Sequence, residues 1–181
     1  MELTTDQKGA IAELAIAKEA MALGIGVYRA LSDGERYDLI FDLGDRLERI
    51  QCKWAAVAGD VVIIRCYRCR RTRNGLLKRG YSIEDVDAIA AYAGDIDRCF
   101  YFPLEWLGGR SFVQLRLAPA RNSQSKRINW ADHFALERLR FRDRGAVAQL
   151  GERLTGSQKA TGSSPVGSTG SSRLRLFVAK D

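Results

Sequence analysis

An acid, an amide and an amine stand within sixteen positions of one another in the stretch 35–54. Polar and apolar residues alternate there on both sides of Gly44-Asp45, which reads as two β-strands joined by a tight turn. With Gly44 and Asp45 as the two loop residues, Leu43 faces Arg46 and Asp38 lies opposite Gln51. The period of two then puts Leu39 and Phe41 on one face with Ile50 and Cys52, and Asp38 on the other with Gln51 and Lys53. Directly opposed Cβ atoms lie roughly 5 Å apart and diagonal ones roughly 7 Å, so one divalent cation could touch Asp38 and Gln51 with the Lys53 ammonium beside it. A solvated hairpin face carrying an ordinary cross-strand ion pair has the same pattern.

A second acid comes from the segment before the hairpin. Thr4 and Gln7 form a capping box in front of a helix predicted over Lys8 to Leu23, which Gly24 can close. Within it Glu13 has Gly9, Ala10, Ile16 and Ala17 as its helical neighbours, so its carboxylate projects from an apolar stripe with no cation on the helix to pair with. It is either a residue at the margin of the buried face or an acid aimed at a metal.

The elements that must position these residues follow in order. Ile25 to Leu31 reads as a first strand, the hairpin supplies two more, and Asp60 to Cys69 supplies a further β segment. Ser82 and Asp85 form another capping box, and Val86, Ile89 and Ala90 predict a short amphipathic helix ending near Gly94. Strands at Arg98 to Phe102 and Ser111 to Leu117, a basic loop holding Arg121, Asn122, Lys126 and Arg127, and a helix over Trp130 to Leu139 complete a folded unit expected to span 1–143.

Charge points to a polyanion. The net charge is +7 and the pI near 9.5. Residues 65–79 carry seven positive side chains (Arg65, Arg68, Arg70, Arg71, Arg73, Lys78 and Arg79) with no acid and one interleaved aromatic, Tyr67. A solvated face is the plain reading, but an acid-free basic run leaving a strand suits a phosphate backbone better, and Lys126 and Arg127 extend the same expectation.

Composition also excludes. His133 is the single histidine, so one chain cannot build a His-pair or HNH-type metal site, and no Ser-His-Asp or Cys-His set has the necessary spread. Gly24-Ile-Gly26 is too short for a dinucleotide fingerprint, and no phosphate-cradling Gly-Lys-Ser/Thr loop occurs. Four cysteines fit reduced thiols better than a disulfide framework; Cys66 and Cys69 have zinc-ligand spacing without a matching second pair and read as small core residues. The first residues lack a signal-peptide pattern and no apolar run approaches spanning length, which makes the cytoplasm the expected location.

Lys8-Gly9 and Glu13 on the first helix, Tyr37-Asp38 on a strand and Gln51-Cys52-Lys53 on its partner together resemble the PD-(D/E)xK nucleases. More narrowly the chain resembles their bacterial group I intron homing endonuclease branch, in which Gln replaces the second acid. Tyr81-Ser-Ile-Glu-Asp-Val-Asp87, Cys99-Phe-Tyr-Phe-Pro103, Leu115-Arg-Leu117 and Ile128-Asn-Trp-Ala131 are similar to the downstream blocks of that branch. The resemblance implies an α/β, restriction-endonuclease-like αβββαβ core, a central mixed sheet flanked by helices. It further implies a catalytic group of Glu13, Asp38, Gln51 and Lys53, with Mg²⁺ (Mn²⁺ as a substitute) held by Asp38, Gln51 and Glu13. Lys53 would position the attacking water. The activity implied is site-specific cleavage of double-stranded DNA to a 5′-phosphate and a 3′-hydroxyl by a homo-oligomer, dimer or tetramer. A junction-selective nuclease like the Holliday-junction resolvases, or a nucleic-acid-binding protein with a decayed site, are the alternatives.

From Arg144 the composition shifts to a Gly/Ser/Thr-rich run, and 144–181 reads as a disordered tail. Gly162-Ser-Ser-Pro165 can be encoded by GGT TCA AGT CCN, similar to the T-arm of a tRNA gene, and Val147-Ala-Gln-Leu-Gly151 by a D-arm-like sequence at a fitting distance. The tail therefore resembles a reading frame run on into a tRNA gene, and the DNA target is expected in or beside such a gene.

Overall fold

The computed structural model describes residues 2–32, 34–73, 75–119 and 127–139. Helix α1, Thr5–Ala22, begins with the expected capping box: Thr4 accepts from the Gln7 backbone N–H, and the Gln7 side chain accepts from the Thr4 N–H at 2.9 Å. Then come β1 (Gly26–Tyr28), β2 (Leu39–Asp42) and β3 (Leu47–Trp54), paired antiparallel with Leu39 opposite Ile50. That register is the one read from the alternation. The Leu43 N–H donates to the Arg46 carbonyl at 3.0 Å across the turn, and Gly44 takes φ +89°, a conformation that favours glycine.

Strands β4 (Ala56–Ala58) and β5 (Val61–Arg65) follow, then the ribbon β6 (Tyr67–Thr72) and β7 (Gly75–Gly80). The β segment expected over Asp60 to Cys69 is thus two strands. They part at Cys66, whose N–H donates to the Ser111 carbonyl at 2.8 Å. Next are β8 (Ala88–Ala93), β9 (Arg98–Pro103), the one-turn helix α2 (Leu104–Leu107) and β10 (Phe112–Arg116).

The central sheet runs β1-β2-β3-β8-β9, with β3 and β8 parallel and the other neighbours antiparallel. It is mixed, as expected. The helix expected around Val86, Ile89 and Ala90 is instead β8, with nearly every residue buried. A strand covered on both faces has no polar side to alternate with, so its short apolar run mimics a helix face. The helix expected over Trp130 to Leu139 is two 3₁₀ turns, Ala131–Phe134 and Leu136–Arg138. Extended Ala135 separates them and bridges to Phe100.

One face of the sheet packs under α1: Ile50, Cys52, Ala88, Ala90 and Tyr101 meet Ala12, Ile16 and Ala20. The other packs against the three-stranded sheet β10-β5-β4 through Val62, Ile64, Val113 and Leu115. The ribbon β6–β7 pairs with neither sheet. No described helix is long and apolar enough to cross a membrane. The tail at 144–181 lies outside the described residues.

Candidate active site

Asp38 sits one residue before β2, opposite Gln51 as the hairpin register requires. Its Oδ2 accepts the Cys52 backbone N–H at 2.6 Å and also the Gln51 side-chain amide, while its own N–H donates to the Ile50 carbonyl at 2.9 Å. Burial nevertheless raises the Asp38 carboxyl above its ordinary value; the Cys52 N–H, Lys53, Gln51 and Arg29 oppose that shift without cancelling it. Glu13 reaches the same place from α1. Burial raises its carboxyl too, the Asp38 charge adds to the rise, and Arg29 lowers it. Arg29, just past β1, approaches Glu13 at 3.5 Å, so the cation that the helix does not supply comes from another element.

Lys53, on β3 with Gln51, has its amine pushed down by burial against the pull of Asp38. Its Nζ lies 5.0 Å from the centre of the Tyr81 ring. The four residues Glu13, Asp38, Gln51 and Lys53 therefore surround one end of the β2–β3 pair. Among the described residues no three His, Cys, Asp or Glu side chains are placed to hold a metal. Here two carboxylates and the Gln51 amide make up the donor set. That set fits a hard divalent cation, which prefers oxygen ligands and would relieve two carboxyls that burial raises, with the Asp38 charge adding to the rise at Glu13. The Gln51 amide directs its N–H at Asp38; a half-turn of the amide offers its oxygen instead.

Other thiols do no such work. Cys52 is buried, with its thiol pushed well above the ordinary range by burial; Cys66 is buried and raised to about 11, again by burial. Cys69 is exposed on the ribbon, so the 66/69 pair does not share one environment.

The basic residues divide. Arg65 ends β5 in solvent, Arg73 is exposed at the ribbon turn, and Lys78 lies 5.3 Å from the Tyr67 ring centre. Arg70 and Arg71 pair with Leu77 and Leu76 across the ribbon. Arg127 is exposed with φ +57°, and Lys126 lies outside the described residues. Arg68 is not free: its Nη2 is 2.8 Å from Asp85, which also pairs with Arg36. Sequence reasoning missed Arg29, Arg36, Tyr81 and Asp85. Asp85 reads locally as a cap, its N–H does close a turn onto the Ser82 carbonyl at 3.0 Å, and its carboxylate keeps a side-chain hydrogen bond with Ser82 while also binding two distant arginines.

A sequence model of the PD-(D/E)XK endonuclease family matches residues 3–137. The chain belongs to this family. A solved structure bears out the fold: the bacterial homing endonuclease I-Ssp6803I aligns with a TM-score of 0.61 at 23% identity, over 74% of this chain and 89% of that one. No curated protein sequence matches the chain. The matched span contains Glu13, Asp38, Gln51 and Lys53.

Proposed function

We propose that the protein is a Mg²⁺-dependent, site-specific double-strand DNA endonuclease of the homing type, working as a homo-oligomer, a dimer or tetramer, so that two sites reach both strands. The observation that carries this reading is the meeting of Asp38, Gln51 and Glu13 beside the half-buried amine of Lys53. Asp38, Gln51 and Glu13 would hold the ion, which when bound supplies an activated water and neutralises phosphate charge. The Cys52 N–H fixes the Asp38 carboxylate in place, so it needs little reorganisation on binding. Lys53, poised over Tyr81, orients the attacking water and balances charge gathering on the phosphorane oxygens. Arg29 holds Glu13 toward Asp38. The basic side chains of 65–79, with Lys126 and Arg127, track the DNA backbone.

The tRNA-like sequence of the tail supports a target in or beside a tRNA gene. A plasmid carrying the uninterrupted flanking gene is incubated with the protein in Mg²⁺ or in EDTA. Specific cleavage in Mg²⁺ only, lost in Asp38→Asn while DNA binding persists, is the expected result. Equal cleavage by wild type and Asp38→Asn, or none by either, ends the proposal.

A further inference from the structure

Beside the proposed site lies a second cluster for which cleavage chemistry has no use. Asp85 has a side chain only 1% exposed, and its two oxygens are taken by two guanidiniums, Arg36 on one side and Arg68 at 2.8 Å on the other. The arginines themselves are not buried: Arg36 keeps 60% of its side-chain exposure and Arg68 33%. With Cys69, Leu77 and Arg79 they line one concavity. Arg79 stands directly opposite Arg68 in the ribbon register, a like-charge pair that is unfavourable unless an anion lies between. Two guanidiniums thus share one carboxylate while a third, Arg79, lines the same concavity, and the cluster keeps an excess of positive charge facing solvent.

Its position is also constrained. Arg36 lies two residues before Asp38 on the same chain segment. Arg68 lies 5.8 Å from the centre of the Tyr81 ring, which carries Lys53 at 5.0 Å. Lys53 and Arg68 therefore flank one ring, within reach of neighbouring phosphates of a single strand, which rise about 3.4 Å per nucleotide along the duplex.

We infer that Arg36 and Arg68, splayed and held by Asp85 with Arg79 opposite, form a subsite for one phosphodiester of the DNA backbone next to the one that is cut. The inference rests on the nuclease reading for the identity of the ligand as DNA. Asp85 acts as a positioning residue. It takes one edge of each guanidinium, aims the remaining N–H donors at the groove, and keeps the pair from repelling. Arginine suits this role because its planar fork can bind a carboxylate and a phosphate on different edges at once.

The test is the salt dependence of binding to a labelled duplex, followed by fluorescence anisotropy in EDTA, where each phosphate contact contributes about 0.9 to the slope of log K against log salt. Arg36→Gln is expected to lower the slope by most of one contact. Arg36→Gln/Arg68→Gln/Asp85→Asn removes acid and partners together, so no buried charge is orphaned, and is expected to lower the slope by about 0.9 in total. Lys18→Gln on the exposed face of α1 is expected to leave it unchanged. An unchanged slope in the triple variant overturns the subsite, as does a loss worth two contacts, which would mean independent surface cations. Mg²⁺-dependent plasmid cleavage by wild type is scored alongside. Cleavage with an unaltered slope in the triple variant rejects the subsite alone, whereas the expected slopes without cleavage uphold a phosphate site and reject the nuclease reading.

Discussion

Replacing Asp38 by Asn should stabilise the metal-free protein, whereas the same replacement at Asp85 should destabilise it. Both carboxylates are largely shielded from water, but their environments act in opposite directions. Burial raises the Asp38 carboxyl above the ordinary 3.8. A raised folded value means that the folded state binds the proton more tightly than the unfolded state. Ionisation of Asp38 therefore costs folding free energy, a cost absent below the ordinary value and growing as pH rises through the folded one. Asn carries no charge, its carbonyl still accepts the Cys52 N–H, and the Gln51 amide can turn its oxygen toward the new NH₂. At Asp85 the hydrogen bond from Arg36 leads in holding the carboxyl below its ordinary value, with the charges of Arg36 and Arg68 adding to it against burial. That contribution is present above the ordinary value and is lost as pH falls through the lowered one. Charge-assisted hydrogen bonds are worth about 1.5–3 kcal/mol each. Because Arg36 and Arg68 are 60% and 33% exposed, screening pulls both toward the lower end, and Asn retains part of one bond. A loss of about 2–3 kcal/mol is expected for Asp85→Asn. Urea unfolding in EDTA from below the ordinary carboxyl value up to neutral pH separates the two: the Asp38→Asn advantage opens as pH rises above the ordinary value, while the Asp85→Asn deficit is full above that value and shrinks below it. Added Mg²⁺ should stabilise wild type by mass action and leave Asp38→Asn behind. A less stable Asp38→Asn at neutral pH in EDTA would refute the claim that the site is built at a cost to the fold.

Lys53→Met should remove the charge that balances the phosphorane and lower the cleavage rate by about 10²–10³, the scale for losing one preorganised electrostatic partner, with binding of uncleaved duplex in Ca²⁺ little changed. Since burial already pushes the Lys53 amine down, the variant should unfold no earlier than wild type in urea. Gly94→Ala places a Cβ 2.4 Å from Trp54 Cη2 and 2.7 Å from Cζ2, and the ring is braced edge-on against Tyr92; thermal unfolding should show a loss of about 1–3 kcal/mol. Phe41→Ala opens a cavity at a fully buried position between β2 and α1 and should cost about 3–5 kcal/mol by the same measurement, enough to unfold much of the population.

What was legible in the sequence is local. The capping box of Thr4 and Gln7, the Gly44-Asp45 turn and the pairing of Asp38 with Gln51 each follow from residues a few positions apart, and each stands in the structure. The register alone placed three of the four site residues on one face, because a period of two leaves no other choice once the turn is fixed. Glu13 was visible only as an acid out of place on an apolar stripe; what makes it part of the site is Arg29 and Asp38, sixteen and twenty-five residues away in sequence. The same limit explains β8. Ala88 to Ala93 is apolar throughout because β3 and β9 flank it while α1 and the second sheet cover its faces, and of these only β9 is near in sequence. Asp85 is the sharpest case. Its spacing from Ser82 satisfies a capping pattern, and the turn it predicts does form, yet Arg36 and Arg68 contribute more to the carboxylate than Ser82 does, and they come from the segment before β2 and from the ribbon β6–β7. A short-range motif can form as read while its side chain is held more strongly from elsewhere. Local pattern therefore fixes where a charged residue sits, and only the assembled sheets fix what it does.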